Sequence, residues 1–310
     1  WALKYASDEL KTDNKFMLAA VKHDGLCLQY ASDELKADRD VVMAAVQTDG
    51  MGLPYASDEF RADREIVMAA VQKNGRALMS ASEELRADRE IVMAAVKYDG
   101  AALEHASDEL KADREIVLAA VQNNGAGLEY ASDELKADRK IVLAAVKKRS
   151  YPCALQYASD TLRADREIVL AAVQNAGTDH PLEYASDELS KELMADREIV
   201  LAAVQNDGWT LKYASKELRA DLEIIAAAVA QNSNASEWAI EKLPTDREIV
   251  LVAVQKDGAA LAGASDEFTA DREIVLAAVQ NSGKALKYAS KELRADREIV
   301  LAAVQNRSKG

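Results

Sequence analysis

Cysteine, histidine, proline and aromatic residues are all scarce in this 310-residue chain: two, three, four and 5% respectively. Each scarcity excludes something. Cys27 and Cys153 are too few for a disulfide framework. They also lie five repeat units apart, whereas a disulfide needs α-carbons within about 7 Å. Both read as thiols of an intracellular, reducing compartment. His23, His105 and His180 fall at different register positions, so they cannot converge on a metal ion or serve as the base of a nucleophilic serine. Basic charge is short as well: 39 Lys and Arg stand against 53 Asp and Glu, a net charge of -14. A nucleic-acid binder needs a basic face to displace counterions from phosphates. Here the two signs alternate, which disfavours DNA, RNA and anionic membrane surfaces as partners. The apolar runs stop at six or seven residues, far short of the ~20 needed to span a bilayer.

What the chain does have is repetition, which must be recognised before anything else is read. An aspartate recurs from Asp13, Asp38 and Asp63 to Asp296, every 25 residues except for two steps: Asp138 to Asp165 is 27 residues and Asp165 to Asp196 is 31. Twelve units fill residues 1–310 as a single continuous array. Its register is broken by insertions near 151–152 and 178–193, and by a degenerate unit near 233–246. The chain opens on Trp1 in mid-unit, so it reads as processed or as part of something longer.

The unit around Asp113 predicts two helices. Asp113 is a favoured N-cap, and Ile116 to Val121 are six consecutive apolar residues, which predicts a helix buried on several sides. Gly125 follows, and a glycine here predicts a left-handed helix end. The serines at this register position, Ser150, Ser233 and Ser308, are exceptions. A first helix is predicted from Leu103, Ala106 and Leu110, spaced i, i+3, i+7 along one helical face. On this reading Ser107 lies inside that helix and bonds its own backbone. Pro54 and Pro181 fall at or before its first turn, and Pro244 falls just after its apolar stripe. The four extra residues between Glu188 and Glu198 amount to about one helical turn. They predict a lengthened first helix with Leu189 and Leu193 still on one face. Helices this short persist only by stacking. The prediction is therefore an all-α fold, an α-solenoid of twelve two-helix repeats of about 25 residues. An Asp cap and a glycine in every unit argue against a coiled coil.

The pattern L-x-Y-A-S-x-E-L-(K/R)-x-D-x-E-(I/V)-V-x-x-A-V resembles an uncharacterised tandem helical-repeat family, a domain of unknown function. The resemblance spans essentially the whole chain and departs most at Ser236, Trp238, Ile240 and Pro244. It implies a repeat scaffold and carries over no catalytic residue.

No phosphate loop is present: "DGMGLP" and "NGAGLE" lack the third glycine and the preceding strand that such a fingerprint requires. No catalytic, cofactor-binding or metal-binding residues are assigned. The recurring tyrosine (Tyr5, Tyr30, Tyr55, Tyr130, Tyr157, Tyr184, Tyr213 and Tyr288) predicts rings packed between helices with hydroxyls at the surface; a ladder touching pigments or lipids is the sharper alternative. Arg114 and its nine counterparts read as register and solubility. Function is then sought where the repeat is broken, at Tyr98, Tyr151 and Trp209 in the loops, His180 in the second insertion, and Trp238 in the tyrosine register. These are candidate contacts to other protein subunits, because aromatic residues dominate binding hot spots. The expected function is a non-enzymatic scaffold or linker that binds proteins in a larger assembly. The alternative is a recognition or regulatory array of an enzyme or effector whose catalytic part lies outside this segment.

Overall fold

The long helix of each repeat starts at its aspartate. In the computed structural model, which describes residues 2–148, 153–176, 181–185, 190–231 and 247–306, Asp113 is extended and its Oδ1 accepts hydrogen bonds from the N–H groups of Glu115 and Ile116 at 2.9 and 3.0 Å. Two of the orphan amides of the first turn are thereby satisfied. The helix runs Arg114–Asn123. Among the described residues there are twelve such helices, each ten residues long except Arg139–Val146, which has eight. All regular elements among the described residues are helical. The chain forms two compact units, Trp1–Asn175 with seven long helices and Ala176–Gly310 with five. Each unit is an α-solenoid in which successive long helices pack side by side.

Burial along the long helix is one-sided. Ile116, Val117, Ala120 and Val121 are fully buried, while Leu118 and Ala119 are only half-buried. The six apolar residues therefore do not bury the helix all round. Four face its neighbours, and two form an outer strip that recurs as Met43, Met68 and Met93 in the early repeats. Each buried Ile or Val contributes about 1.5–3 kcal/mol, enough to hold a helix of under three turns that is marginal alone.

The predicted first helix is two elements. A 3-10 helix spans Gly100–His105, and a separate four-residue α-helix spans Asp108–Lys111. Between them Ala106 and Ser107 are extended, with φ/ψ of -70/159 and -62/158. Leu103, Ala106 and Leu110 are all buried as the spacing predicted, but they reach the core from different elements. Ser107 is not inside a helix. Its Oγ accepts from Leu110 N–H at 3.4 Å as an N-cap, and its own N–H donates to the carbonyl of Arg86, one repeat back, at 2.9 Å. The same bond recurs as Ser132 to Lys111 and Ser215 to Met194. The amide that would have continued the helix is used to join repeats.

The short element is α-helical at Asp108–Lys111 and also at Ser190–Leu193, which reads Ser-Lys-Glu-Leu, whereas after the same four letters begin at Ser215 and Ser290 only the 3-10 turns Leu218–Ala220 and Leu293–Ala295 form. Pro54 lies within the 3-10 helix Gly50–Tyr55, not before it, and Pro181 opens the turn Pro181–Tyr184. Pro244 is outside the described residues. In the lengthened repeat a short helix is described over Ser190–Leu193, and residues 186–189, on which the expected lengthening falls, lie outside the described residues. Leu193 is buried in the register of Leu110, while Leu189 is outside the described residues.

Glycine does not end the long helix in a left-handed turn. The C-cap is Asn124, with φ -143 and ψ 116, and its Oδ1 accepts from Ala126 N–H to start the next 3-10 helix. Glycine is required by proximity instead. A Cβ on Gly100 would lie 2.3 Å from the carbonyl oxygen of Ala120, and on Gly50 2.2 Å from that of Ala70. The serines predicted as exceptions, Ser150, Ser233 and Ser308, lie outside the described residues.

Gly127 provides an internal control. Its nearest neighbours to an added Cβ are Gly100 O at 3.1 Å and the Ala120 Cβ at 3.4 Å, and other repeats place Ala77, Ala102 or Ala260 at this register, fully buried. Gly100→Ala is expected to cost about 1–3 kcal/mol through overpacking, whereas Gly127→Ala stays within about 1 kcal/mol of wild type and gains from a stiffer unfolded chain. Urea melts of the two variants that coincide would refute this account of the glycine.

Candidate functional site

The chemistry-bearing residues that recur are arranged by the long helices into rows that cross from repeat to repeat. In the first row, the arginine at the first helical position reaches the next repeat. Arg89 contacts both the N-cap Asp113, at 3.2 Å, and Glu115. Arg64 does the same with Asp88 and Glu90, Arg247 with Asp271 and Glu273, and Arg272 with Asp296 and Glu298. Arg114 pairs with Asp138, at 3.0 Å, the second acid being replaced there by Lys140. Each aspartate thus caps its own helix with one oxygen and receives the preceding arginine with the other. Burial pushes the Asp113 carboxyl up, but hydrogen bonds from Ile116 N–H, Arg89 and Glu115 N–H outweigh it and hold the group below its ordinary value. Asp63, Asp88, Asp165, Asp221 and Asp271 are lowered by the same kinds of bond.

A second row was not legible in the repeat pattern. Asn123, the last residue of its helix, donates from Nδ2 to the carbonyls of Lys97 and Tyr98 at 2.9 and 3.3 Å and accepts at Oδ1 from Gly100 N–H at 2.9 Å. Asn281 repeats all three contacts with Gln255, Lys256 and Gly258. One amide side chain therefore closes the C-terminal end of the preceding helix. The signal was the Gln-Asn before the glycine, which reads as ordinary surface until the neighbour is in place.

Tyrosines form the third row. Tyr30, Tyr130, Tyr157, Tyr184, Tyr213 and Tyr288 are half-buried, while Tyr5 and Tyr55 are exposed. Tyr213 donates from its hydroxyl to Glu183 at 2.7 Å, and the ammonium groups of Lys212 and Lys287 lie 4.5 Å from the Tyr213 and Tyr288 ring centres. Burial and the nearby Glu104 raise the Tyr130 hydroxyl above its usual value. His105, in the tyrosine register, is half-buried and pushed down chiefly by that burial.

Of the predicted contact residues, Tyr98 and Trp209 are described. Neither is in a loop. Tyr98 ends the long helix Arg89–Tyr98 and is 55% exposed; Trp209 is the second residue of the 3-10 helix Gly208–Tyr213 and is 40% exposed. The Trp209 N–H donates to the Asp207 Oδ1 at 3.0 Å, so its backbone is fixed while its ring stays accessible. Tyr98 lies in the first unit and Trp209 in the second. Both occupy the edge where a long helix hands over to a 3-10 helix. Tyr151, His180 and Trp238 lie outside the described residues. Among those described, no group of three His, Cys, Asp or Glu side chains could hold a metal ion, and no helix is long and apolar enough to cross a membrane.

A family model described as Domain of unknown function (DUF4116) matches the chain in ten stretches, from 1–36, 13–61 and 38–86 through 113–151 and 138–190 to 196–244, 246–294 and 271–309. Nine of the ten begin at the recurring aspartate. A full match such as 38–86 contains two long helices, each followed by its 3-10 and short helices, and so spans two successive repeats. No curated protein and no solved structure matches the chain.

The lowered aspartates set an acid dependence. Their folded values lie below the unfolded value of about 3.9, so their contribution is present above that pH and is lost as pH falls through the folded values. The melting temperature is expected to hold steady down to about pH 5 and then fall steeply towards about pH 3. Asp113→Asn keeps a capping oxygen but removes a titrating group, and should make that fall shallower. A melting temperature that stays flat through the acid range would contradict the aspartate rows.

Proposed function

The chain belongs to this family of tandem helical repeats, and we propose from that premise that it is a non-enzymatic scaffold or linker that holds other proteins within a larger assembly. One observation carries the reading. In most of the described repeats the N-cap aspartate and the arginine that follows it are engaged in capping or in joining neighbouring repeats, as are the side chains of Ser107, Ser132, Asn123 and Asn281. What differs between repeats is the exposed edge around the helix handover. At the register of Tyr98 stand His23, Thr48, Lys73 and Asn123; at that of Trp209 stand Leu26, Met51, Arg76 and Ala259. An invariant frame with a variable edge suits recognition by surface and shape, the usual mode of solenoids. Large aromatic rings on such an edge are the residues that contribute most to binding hot spots. An intracellular, reducing compartment is part of the proposal, and the burial of both Cys27 and Cys153 fits it.

Crosslinking and mass spectrometry on the native assembly would identify the partners. Trp209→Ala and Tyr98→Ala are then expected to weaken capture of the crosslinked partner by at least about tenfold, the ~1.4 kcal/mol scale of a modest hot spot. Both side chains are exposed, so melting temperatures should hardly move. If neither variant changes capture, the edge is not the contact surface. If the purified chain turns over a substrate, the non-enzymatic reading fails outright.

A further inference from the structure

The edge where long helices hand over to 3-10 helices is basic over part of the first unit, although the chain as a whole carries a net charge of -14. Between Gln72 and Lys148 the exposed cations of this edge are Lys73, Arg76, Lys97, Lys147 and Lys148. One acid stands among them, Asp99, and its carboxylate is engaged. Oδ1 accepts from Ala101 N–H at 3.0 Å, and Oδ2 accepts from Arg76 Nε at 2.9 Å. At the register of Asp99 the neighbouring repeats carry the neutral Asn74 and Asn124, whereas the two earliest repeats carry Asp24 and Asp49. Glu104 and Glu115 stand towards the far ends of the 3-10 helix and the long helix, away from the handover.

Folding does not call for these lysines. A cation in the last turn suits the helix dipole, yet Arg64–Lys73 and Arg114–Asn123 have Gln72 and Gln122 at the register of Lys97 and run the same ten residues. Lys73 and Lys97 form no ion pair among the described residues. Tyr98 stands between them, 55% exposed, beside Lys97 in sequence and at the register of Lys73 one repeat on. The same edge of the second unit differs. Among its described residues the cations Lys256 and Lys284 are matched in number by Asp207 and Asp257.

Given the scaffold reading proposed above, we infer that this stretch of the first unit's edge is the docking surface for an acidic segment of a partner protein, which lies extended across the repeats and against Tyr98. Charge complementarity identifies the occupant. A row of cations facing one engaged carboxylate attracts a run of Asp and Glu and repels basic segments. Successive long helices pack about 8–10 Å apart, so Lys73 and Lys148, three junctions apart, are separated by roughly 24–30 Å. That is the span of about eight extended residues. Gln72 and Gln122, both exposed, place amide donors beside the cations for the backbone carbonyls of such a segment. A nucleic acid suits the edge less well, because the basic row is short and Asp24 and Asp49 continue the same edge on its N-terminal side.

Fluorescence polarisation on the full 310-residue chain tests this, with a labelled oligo-glutamate of about ten residues as the probe and an oligothymidylate of similar length beside it. The wild type is expected to bind the oligo-glutamate, and to bind it severalfold more weakly as salt rises from about 50 to about 200 mM and the Debye length shortens. Lys73→Glu combined with Lys97→Glu is expected to weaken binding by at least about tenfold, and Tyr98→Ala by a smaller factor. Lys256→Glu combined with Lys284→Glu makes the same charge change in the second unit and should leave binding unchanged. All four lysines are exposed, and circular dichroism checks that each variant keeps its helicity. A wild type that binds no oligo-glutamate at low salt overturns the inference. Equal losses from the two double variants overturn it as well, since they report net charge alone. Oligothymidylate bound as tightly as the peptide overturns it too and assigns the edge to nucleic acid. The scaffold reading is judged apart from this: capture of the crosslinked partner that depends on Trp209 but not on Lys73 and Lys97 leaves that reading standing and sinks the acidic-segment site.

Discussion

The structure depends on how closely a 3-10 helix approaches the long helix that follows it. At Gly100 the backbone sits so near the Ala120 carbonyl that no side chain fits between them. Alanine at 120 and glycine at 100 are two halves of that contact, one minimising the helix surface and the other removing the Cβ. Once the approach is made, the Asn123 side chain reaches both the glycine amide and the preceding helix end. The serine amide likewise finds the previous short helix. A bulkier residue at either position would push the layers apart and break hydrogen bonds that tolerate only a few tenths of an ångström.

Energetically the polar rows are secondary to burial. The arginine pairs are exposed at roughly half of their side-chain surface, and pairs of this kind contribute about 0–1 kcal/mol each. Apolar burial supplies most of the stabilisation but is nearly indifferent to register along the helix axis. A residue that must touch a particular aspartate and glutamate 24 and 26 positions ahead is not indifferent. The rows therefore select one stacking out of several that would bury similar area, and they do so at every junction where the partners are present.

The fold class and the core were legible in the sequence because both rest on local, repeated signals. The aspartate cap, the apolar run and the buried Leu103, Ala106 and Leu110 each follow from periodicity and capping chemistry. The break at Ala106-Ser107 was not legible, because its cause is an acceptor in the preceding repeat that the local sequence does not mention. The same is true of Gly100: a glycine after a helix ordinarily signals a left-handed residue, and only the position of Ala120 shows that close approach is the reason. The edge positions of Tyr98 and Trp209 were found as departures from the pattern, but were misplaced into loops. The pattern marks a departure without saying that the 3-10 helix begins so soon after the long one ends.

What varies and what does not then divides the labour of the molecule. A side chain that bonds across a junction is constrained from two repeats at once, so changing it disturbs both. Lys140 illustrates the limit: the glutamate contact is lost there while the Arg114–Asp138 pair remains. The handover edge carries no such constraint. At the register of Tyr98 only some side chains, such as Asn123 and Asn281, bond to the neighbour; the tyrosine contributes just its carbonyl. Where the junction holds without the side chain, that side chain is released to face outward. Recognition can change at this edge without disturbing the frame, because the backbone that positions it is fixed by the glycine contact and the aspartate cap beneath.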